Sequence, residues 1–224
     1  MYRFEIHCHT AESSSCGRVK AERLVELYLR AGYDGVVITD HLNPDNPRKL
    51  LENEGIPLTF EHQVERLLRG YKLARAAAGD KLVVLHGMEL RFARDPNDYL
   101  VYGMTEELLL AHPDVVEWGI QKFSAFAKEH GLLVIQAHPF RNNMRVIDPK
   151  WVDMIEVHNG HPRHQSRNEL ALLWARMHGK PGSSGSDFHE EGDEARGGVI
   201  LPRRPETIHE FIELMREQPL LITG

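Results

Sequence analysis

Six short predicted strands in this chain, five of them apolar and one of small residues, each close on a histidine or a carboxylate, and that recurrence narrows the possible folds more than any other feature. They are Tyr2–Cys8 ahead of His9, Gly35–Thr39 ahead of Asp40-His41, Leu82–Leu90 carrying Glu89, Leu132–Ala137 ahead of His138, Met154–His158 carrying Glu156, and Gly182–Ser186 ahead of Asp187. Amphipathic stretches of helical spacing separate most of them: Val19 to Ala31, Glu61 to Ala78, Val115 to His130 and Asn168 to His178. A last strand, Gly198–Leu201, and a helix from Glu206 to Glu217 follow. Strand, helix and strand within about forty residues is a βαβ unit, which implies parallel strands and a right-handed crossover. About seven such units suffice for a closed or nearly closed parallel barrel, with an open doubly wound sheet as the alternative. The placement of the polar residues favours the barrel, because its strand ends gather at one rim and six scattered residues become one site.

The opening strand shows the pattern at its smallest. His7 and His9 alternate onto one face, roughly 7 Å apart along the chain, so both rings can converge on one ion. Glu5 shares that face, while Phe4, Ile6 and Cys8 point the other way. Taken alone, a His-x-His pair favours two ordinary histidines on an exposed edge, and the rest of the chain reverses that balance. Histidine is nonetheless the outlier of the composition, at 14 in 224 residues, which directs attention to metal binding or acid-base chemistry.

The formal net charge of −6 argues against broad attraction to duplex nucleic acid or an anionic membrane. No apolar run approaches the length of a membrane span and no leader pattern precedes the first strand, so a soluble cytoplasmic protein is expected. Two cysteines, Cys8 and Cys16, are too few for a disulfide framework. The length suits a single domain over residues 1–224.

Imidazoles and carboxylates together suit Zn²⁺, Mn²⁺ or iron, and a shared carboxylate such as Glu89 is the natural bridge in a site of two or three ions. Water held between such ions loses a proton near neutral pH and becomes a nucleophile, while the ions neutralise charge on a phosphate ester. No protein nucleophile is then required.

The ordered set His7-x-His9-Thr10, Thr39-Asp40-His41, Gly87-x-Glu89, Ala137-His138-Pro139, Glu156-x-x-Asn159-Gly160 and Gly185-Ser186-Asp187-x-His189 resembles the motifs of the PHP (polymerase and histidinol phosphatase) family. The resemblance runs from residue 2 to at least residue 198. It implies a distorted (β/α)₇ TIM-like barrel with a di- or trinuclear centre and phosphoesterase activity. Carried over, it implies that His7, His9, Glu89 and Asp187 hold one ion, Glu89 and His138 a second, and His41 with His189 a third. Two positions depart from the family. Asp98 stands where a further histidine is frequent, and Cys16 lies in the loop that usually supplies Asp or His; each is a candidate ligand, Asp98 favouring Mn²⁺ and Cys16 Zn²⁺.

Around the ligands, Arg141 is the candidate for gripping a substrate phosphate, with Arg18 and Arg196 behind it. Glu156 and His158 sit on one strand face, the first placed to support a ligand imidazole and the second to protonate a leaving group. Asp40 reads as a support. His62, His112, His130, His161, His164 and His178 read as surface histidines, and His86 as facing away from Glu89. The expected activity is hydrolysis of a phosphomonoester, a nucleotide or small metabolite phosphate. Trimming of short oligonucleotides and a non-catalytic metal-binding module that supports a partner protein are alternatives. A barrel amidohydrolase is a more distant one, since those enzymes generally bridge their metals with a Lys where this chain has Glu89.

Overall fold

A computed structural model describes residues 1–223. Strand β1 (Tyr2–Cys8), helix α1 (Ala21–Arg30) and strand β2 (Gly35–Ile38) form the first βαβ unit, with β1 and β2 parallel. Leu24, Leu27 and Tyr28 put the buried face of α1 onto Val36 and Ile38. A two-residue strand β3 (His41–Leu42) opens a segment rich in Pro and Asn, residues 42–60, which contains a short helix α2 (Arg48–Glu54). Its one buried residue, Leu51, leaves no periodicity to detect. Helix α3 (Phe60–Ala78) starts at Thr59, whose hydroxyl accepts from the His62 N–H at 3.2 Å.

Strands β4 (Val83–Leu90) and β5 (Tyr99–Tyr102) follow, then helix α4 (Glu106–Leu110), absent from the sequence reading. The helix expected over 115–130 is instead a 3₁₀ turn, Val115–Glu117, and helix α5 (Gly119–Glu129), separated at Gly119 with φ +75°. Strands β6 (Leu133–Gln136) and β7 (Met154–Asn159), helix α6 (Asn168–Met177), strands β8 (Gly182–Gly185) and β9 (Gly197–Leu201), helix α7 (Ile208–Arg216) and strand β10 (Leu220–Thr223) complete the chain. The sequence reading had no counterpart to β10.

The strands form a nearly closed sheet in the order β10-β9-β1-β2-β4-β5-β6-β7-β8, with β3 paired to β4. It is a distorted TIM-like barrel whose pairing is mixed. β5 runs antiparallel to both β4 and β6, and β9 antiparallel to β1 and β10. Residues 91–98 join β4 to β5 without a helix, too short a link for a parallel crossover. Closure occurs where β8 nears β1: the His9 N–H donates to the Phe188 carbonyl at 3.0 Å and the Phe188 N–H to the His7 carbonyl at 3.2 Å. Glycine makes that seam possible, because a Cβ on Gly185 would overlap the Cβ of His7.

Phe4, Ile6, Val37, Leu100, Tyr102, Leu133 and Ile135 fill the interior away from the strand tips. Cys8 does not join Phe4 and Ile6. An irregularity between Glu5 and Cys8 turns it under α1, against Tyr28 and Phe188. No helix among the described residues is long and apolar enough to cross a membrane.

Candidate metal centre

Strand tips β1, β4 and β8, with the short strand β3 and the turn after β6, bring His7, His9, His41, Glu89, His138, Asp187 and His189 together at one end of the barrel. Glu89 is at the centre. One of its oxygens, Oε2, lies 3.1 Å from His41 Nδ1, 3.2 Å from His9 Nε2 and 3.4 Å from His7 Nε2. The other, Oε1, is 3.1 Å from His138 Nε2. Asp187 Oδ1 approaches His7 Nε2 and His9 Nε2, each at 3.3 Å. His138 and Asp187 have φ of +27° and +53°, a left-handed backbone that non-glycine residues avoid and that clusters at functional sites.

Three overlapping sets of donors are close enough to hold a cation: His7, His9, Glu89 and Asp187; His9, His41 and His189; and His41, Glu89 and Asp98. The first is the set the family resemblance implies. In the second, His9 joins His41 and His189. The third contains Asp98 in place of His138, although His138 remains in contact with Glu89. Asp98 is also gripped by Arg91, Nε to Oδ1 at 2.7 Å and Nη2 to Oδ2 at 2.6 Å. Cys16 lines the cavity but belongs to none of the three sets. Burial and the nearby Glu89 and Asp187 push its thiol up to about 12.

The donor chemistry fits divalent cations. His7 Nε2, His9 Nε2 and His41 Nδ1 are buried without a hydrogen-bond partner, and all three face carboxylate oxygens. Such groups are costly unless something positive lies between them. Electrostatics agree. Burial opposes ionisation of Asp187, but His7, His9 and Arg141 hold it well below the usual carboxylate range. Burial disfavours charge on His9 also, yet Asp187 and Glu89 raise it to about 9, a proton occupying the place a cation would take. Burial lowers His41 to about 3 and His189 to about 4, leaving neutral imidazoles suited to ligation.

A surrounding layer fixes these rings. Glu156 accepts from His7 Nδ1 at 2.8 Å through Oε1, and through Oε2 from the His138 N–H at 2.8 Å and Asn159 Nδ2 at 3.0 Å. It thus orients the His7 imidazole, the carboxylate–histidine arrangement that aims a ligand nitrogen, and pins the backbone that carries His138. Asp40 stands behind His9, accepting from the Thr10 N–H at 2.8 Å, Thr10 Oγ1 at 2.7 Å and Ser14 Oγ at 2.6 Å. Ser14 Oγ in turn accepts from the His41 N–H at 3.1 Å and lies 3.5 Å from His9 Nδ1. Helix α3 passes this group at Gly70, where a Cβ would overlap Thr10 and Asp40.

Several sequence expectations need correction. Glu5, which alternation sets on the face of His7 and His9, turns to the backbone instead: its carboxylate accepts from the N–H groups of Ile6, His7 and Ser186 and from Tyr28 Oη, which consolidates the irregularity in β1. His158 does not face the cavity. The register of β7 shifts between Glu156 and His158, so their side chains part, and His158 Nε2 bonds the Arg196 carbonyl at 2.9 Å. Arg141 reaches the site, but Nη2 is committed to Asp187 Oδ2 at 2.6 Å and Asn159 Oδ1 at 2.8 Å. Its buried Nε is unpartnered. Arg18 and Arg196 do not line the cavity. His161 and His164 are closer to the chemistry than expected: His161 is buried with its ring centroid 5.0 Å from that of His189, and His164 lines the cavity. The reading also overlooked Arg91 and Ser14, and assigned no role to Asn159, although it stands in the Glu156-x-x-Asn159 motif. A cavity of about 470 Å³ opens over the cluster, walled on its outer side by Arg141, Asn142, Asn143, His164 and Gln165.

A mixed-pairing barrel with imidazoles and carboxylates converging at one end of its strands defines a class of metal-binding α/β proteins. Comparison with known sequences narrows the class: the PHP domain matches residues 5–180, and the chain belongs to that family. No curated protein matches. Among solved structures, a two-domain protein from Bacteroides vulgatus, described as containing a predicted PHP-like metal-dependent phosphoesterase, superposes over 100% of this chain with TM-score 0.70 and 16% identity. The chain spans 65% of that protein's length. PsfC from Pseudomonas syringae gives TM-score 0.71 at 16% identity, covering 100% of this chain and 93% of that one. An amidohydrolase from Chromobacterium violaceum, with bound sulfate and no metal, gives 0.58 at 14% identity over 97% of each chain. At these identities the likeness is one of fold.

Proposed function

We propose that the protein hydrolyses a phosphomonoester of small size, a nucleotide or metabolite phosphate, as a single metal-dependent domain. The observation that carries this reading is the convergence of unpartnered imidazole nitrogens on Glu89 and Asp187 beneath a cavity sized for a small molecule. His7, His9, His41, Glu89, Asp187 and His189 would hold the ions, with His138 and Asp98 beside Glu89. Two or three divalent ions, Zn²⁺, Mn²⁺ or iron, would supply Lewis acidity towards phosphoryl oxygens and a lowered pKa for water.

The chain's own groups do the remainder. Arg141, held on one edge by Asp187 and Asn159, contributes positive charge at the cavity wall. Arg91 adds a second guanidinium, its orientation fixed by Asp98. Glu156 keeps His7 and the His138 backbone in place, so the donor set need not reorganise as charge develops. Glu89 at the bridge position, in place of Lys, favours this reading over amidohydrolase chemistry. With His158 turned away, leaving-group protonation falls to water or to His164, the exposed imidazole in the cavity wall.

Turnover of an aryl phosphate by Mn²⁺- or Zn²⁺-loaded protein tests the proposal, against chelated protein and the variant His138→Ala. Loss of rate in both controls is expected. Equal rates in all three would discard the reading.

A further inference from the structure

Helix α6 carries apolar residues on two opposite faces. Ala171 and Ala175 are buried on its inner side. On the other side Leu170, Leu173 and Met177, spaced i, i+3 and i+7, form one stripe and are 40%, 54% and 76% exposed. Of ten large apolar residues exposed among the described residues, four lie on this one helix, with Leu172 the fourth. Single exposed apolar side chains are ordinary, whereas a contiguous stripe edged by charge marks an interaction face.

The charges on the helix decide what covers it. Glu169 lies in the first turn and Arg176 in the last, two turns apart and therefore on one flank of the stripe. Both are exposed, and neither joins an ion pair among the described residues. An acid at one end and a base at the other is self-complementary only when two copies of the helix pack antiparallel about a two-fold axis. Centred on Leu173, that arrangement sets Leu173 against Leu173 and places Glu169 of each copy beside Arg176 of the other. A parallel arrangement would set the two copies of Glu169 at one level, with no Arg176 to meet either of them.

We infer that α6 is a homodimer contact, covered by the α6 of a second copy of this chain running antiparallel. The full chain measured by light scattering at about 100 µM should have twice the mass of one chain, as expected for a micromolar contact. Leu173→Glu should return it to one chain, with far-UV circular dichroism unchanged because the side chain is exposed. Glu169→Arg and Arg176→Glu should each weaken association about tenfold or more through like-charge contact, and the double exchange E169R/R176E should recover it to within about threefold. A wild-type protein of single-chain mass would overturn the proposal and leave the stripe to another partner. A dimer that survives L173E, or a double exchange no tighter than the single ones, would overturn it equally. If L173E fails to fold, the charge variants decide alone.

Discussion

The two walls of the cavity are built by different means. The inner wall, Glu89 and Asp187 with His7 and His9 behind them, stands on strand tips or the turn directly after them, and each residue is at most 1% exposed. The outer wall, Arg141, Asn142, Asn143, His164 and Gln165, comes from the loops after β6 and β7 and is largely accessible. On the inner wall every side chain is held by register and by a second polar group: Glu156 behind His7, Ser14 behind His9, His138 against Glu89, Arg141 against Asp187. On the outer wall His164 has only its ring contact with His161, at 4.5 Å between centroids. Under the proposed hydrolysis this division would place metal binding on the strand-borne wall and most substrate contacts on the loop-borne one, which barrels permit because their loops vary without disturbing the strands.

Substitutions on the two walls should separate accordingly. Glu89→Gln keeps the shape of the bridge but removes its charge, and should lower turnover by about a thousandfold or more together with the bound metal. Elemental analysis of the purified variant checks this, and a full metal complement would break the distinction between walls. Ser14→Ala removes the hydroxyl shared by Asp40, the His41 N–H and His9, and should weaken metal affinity about ten- to a hundredfold, as loss of a ligand's supporting partner does. Competition with a chromogenic chelator reads that affinity directly. His164→Ala on the outer wall should raise KM about three- to tenfold, leave metal content unchanged and spare most of the turnover rate, since the loss of one polar contact to substrate is worth about 1 kcal/mol. A drop in metal content here would place His164 among the ligands instead. A large fall in turnover rate with KM unchanged would make it the proton donor.

Much of the inner wall is legible in the sequence. An alternating strand that ends in His7-x-His9, and apolar or small-residue runs that empty into His41, Glu89, His138 and Asp187, encode position by local periodicity, which needs no knowledge of distant residues. The outer wall is not legible. His164 and Gln165 carry no periodic signal, and the route of loop 160–167 over the cavity depends on contacts such as Arg167 Nη1 with the Phe140 carbonyl at 2.6 Å. His158 shows where periodicity misleads: its spacing from Glu156 promises a shared face, and a register shift that only pairing with β8 creates turns it away.

By itself the amino-acid sequence determined that this is an alternating α/β chain of the PHP family with imidazoles and carboxylates at its strand ends, because strand alternation and motif order are local properties. Tertiary structure alone decided which way β5 and β9 run, that Glu5 supports the backbone and not a cation, and that Glu89 sits among four imidazoles. Those outcomes depend on which strands become neighbours and how closely, as at the Gly185 seam against His7, and a pattern of single residues cannot specify the distance between segments that meet only when the barrel closes.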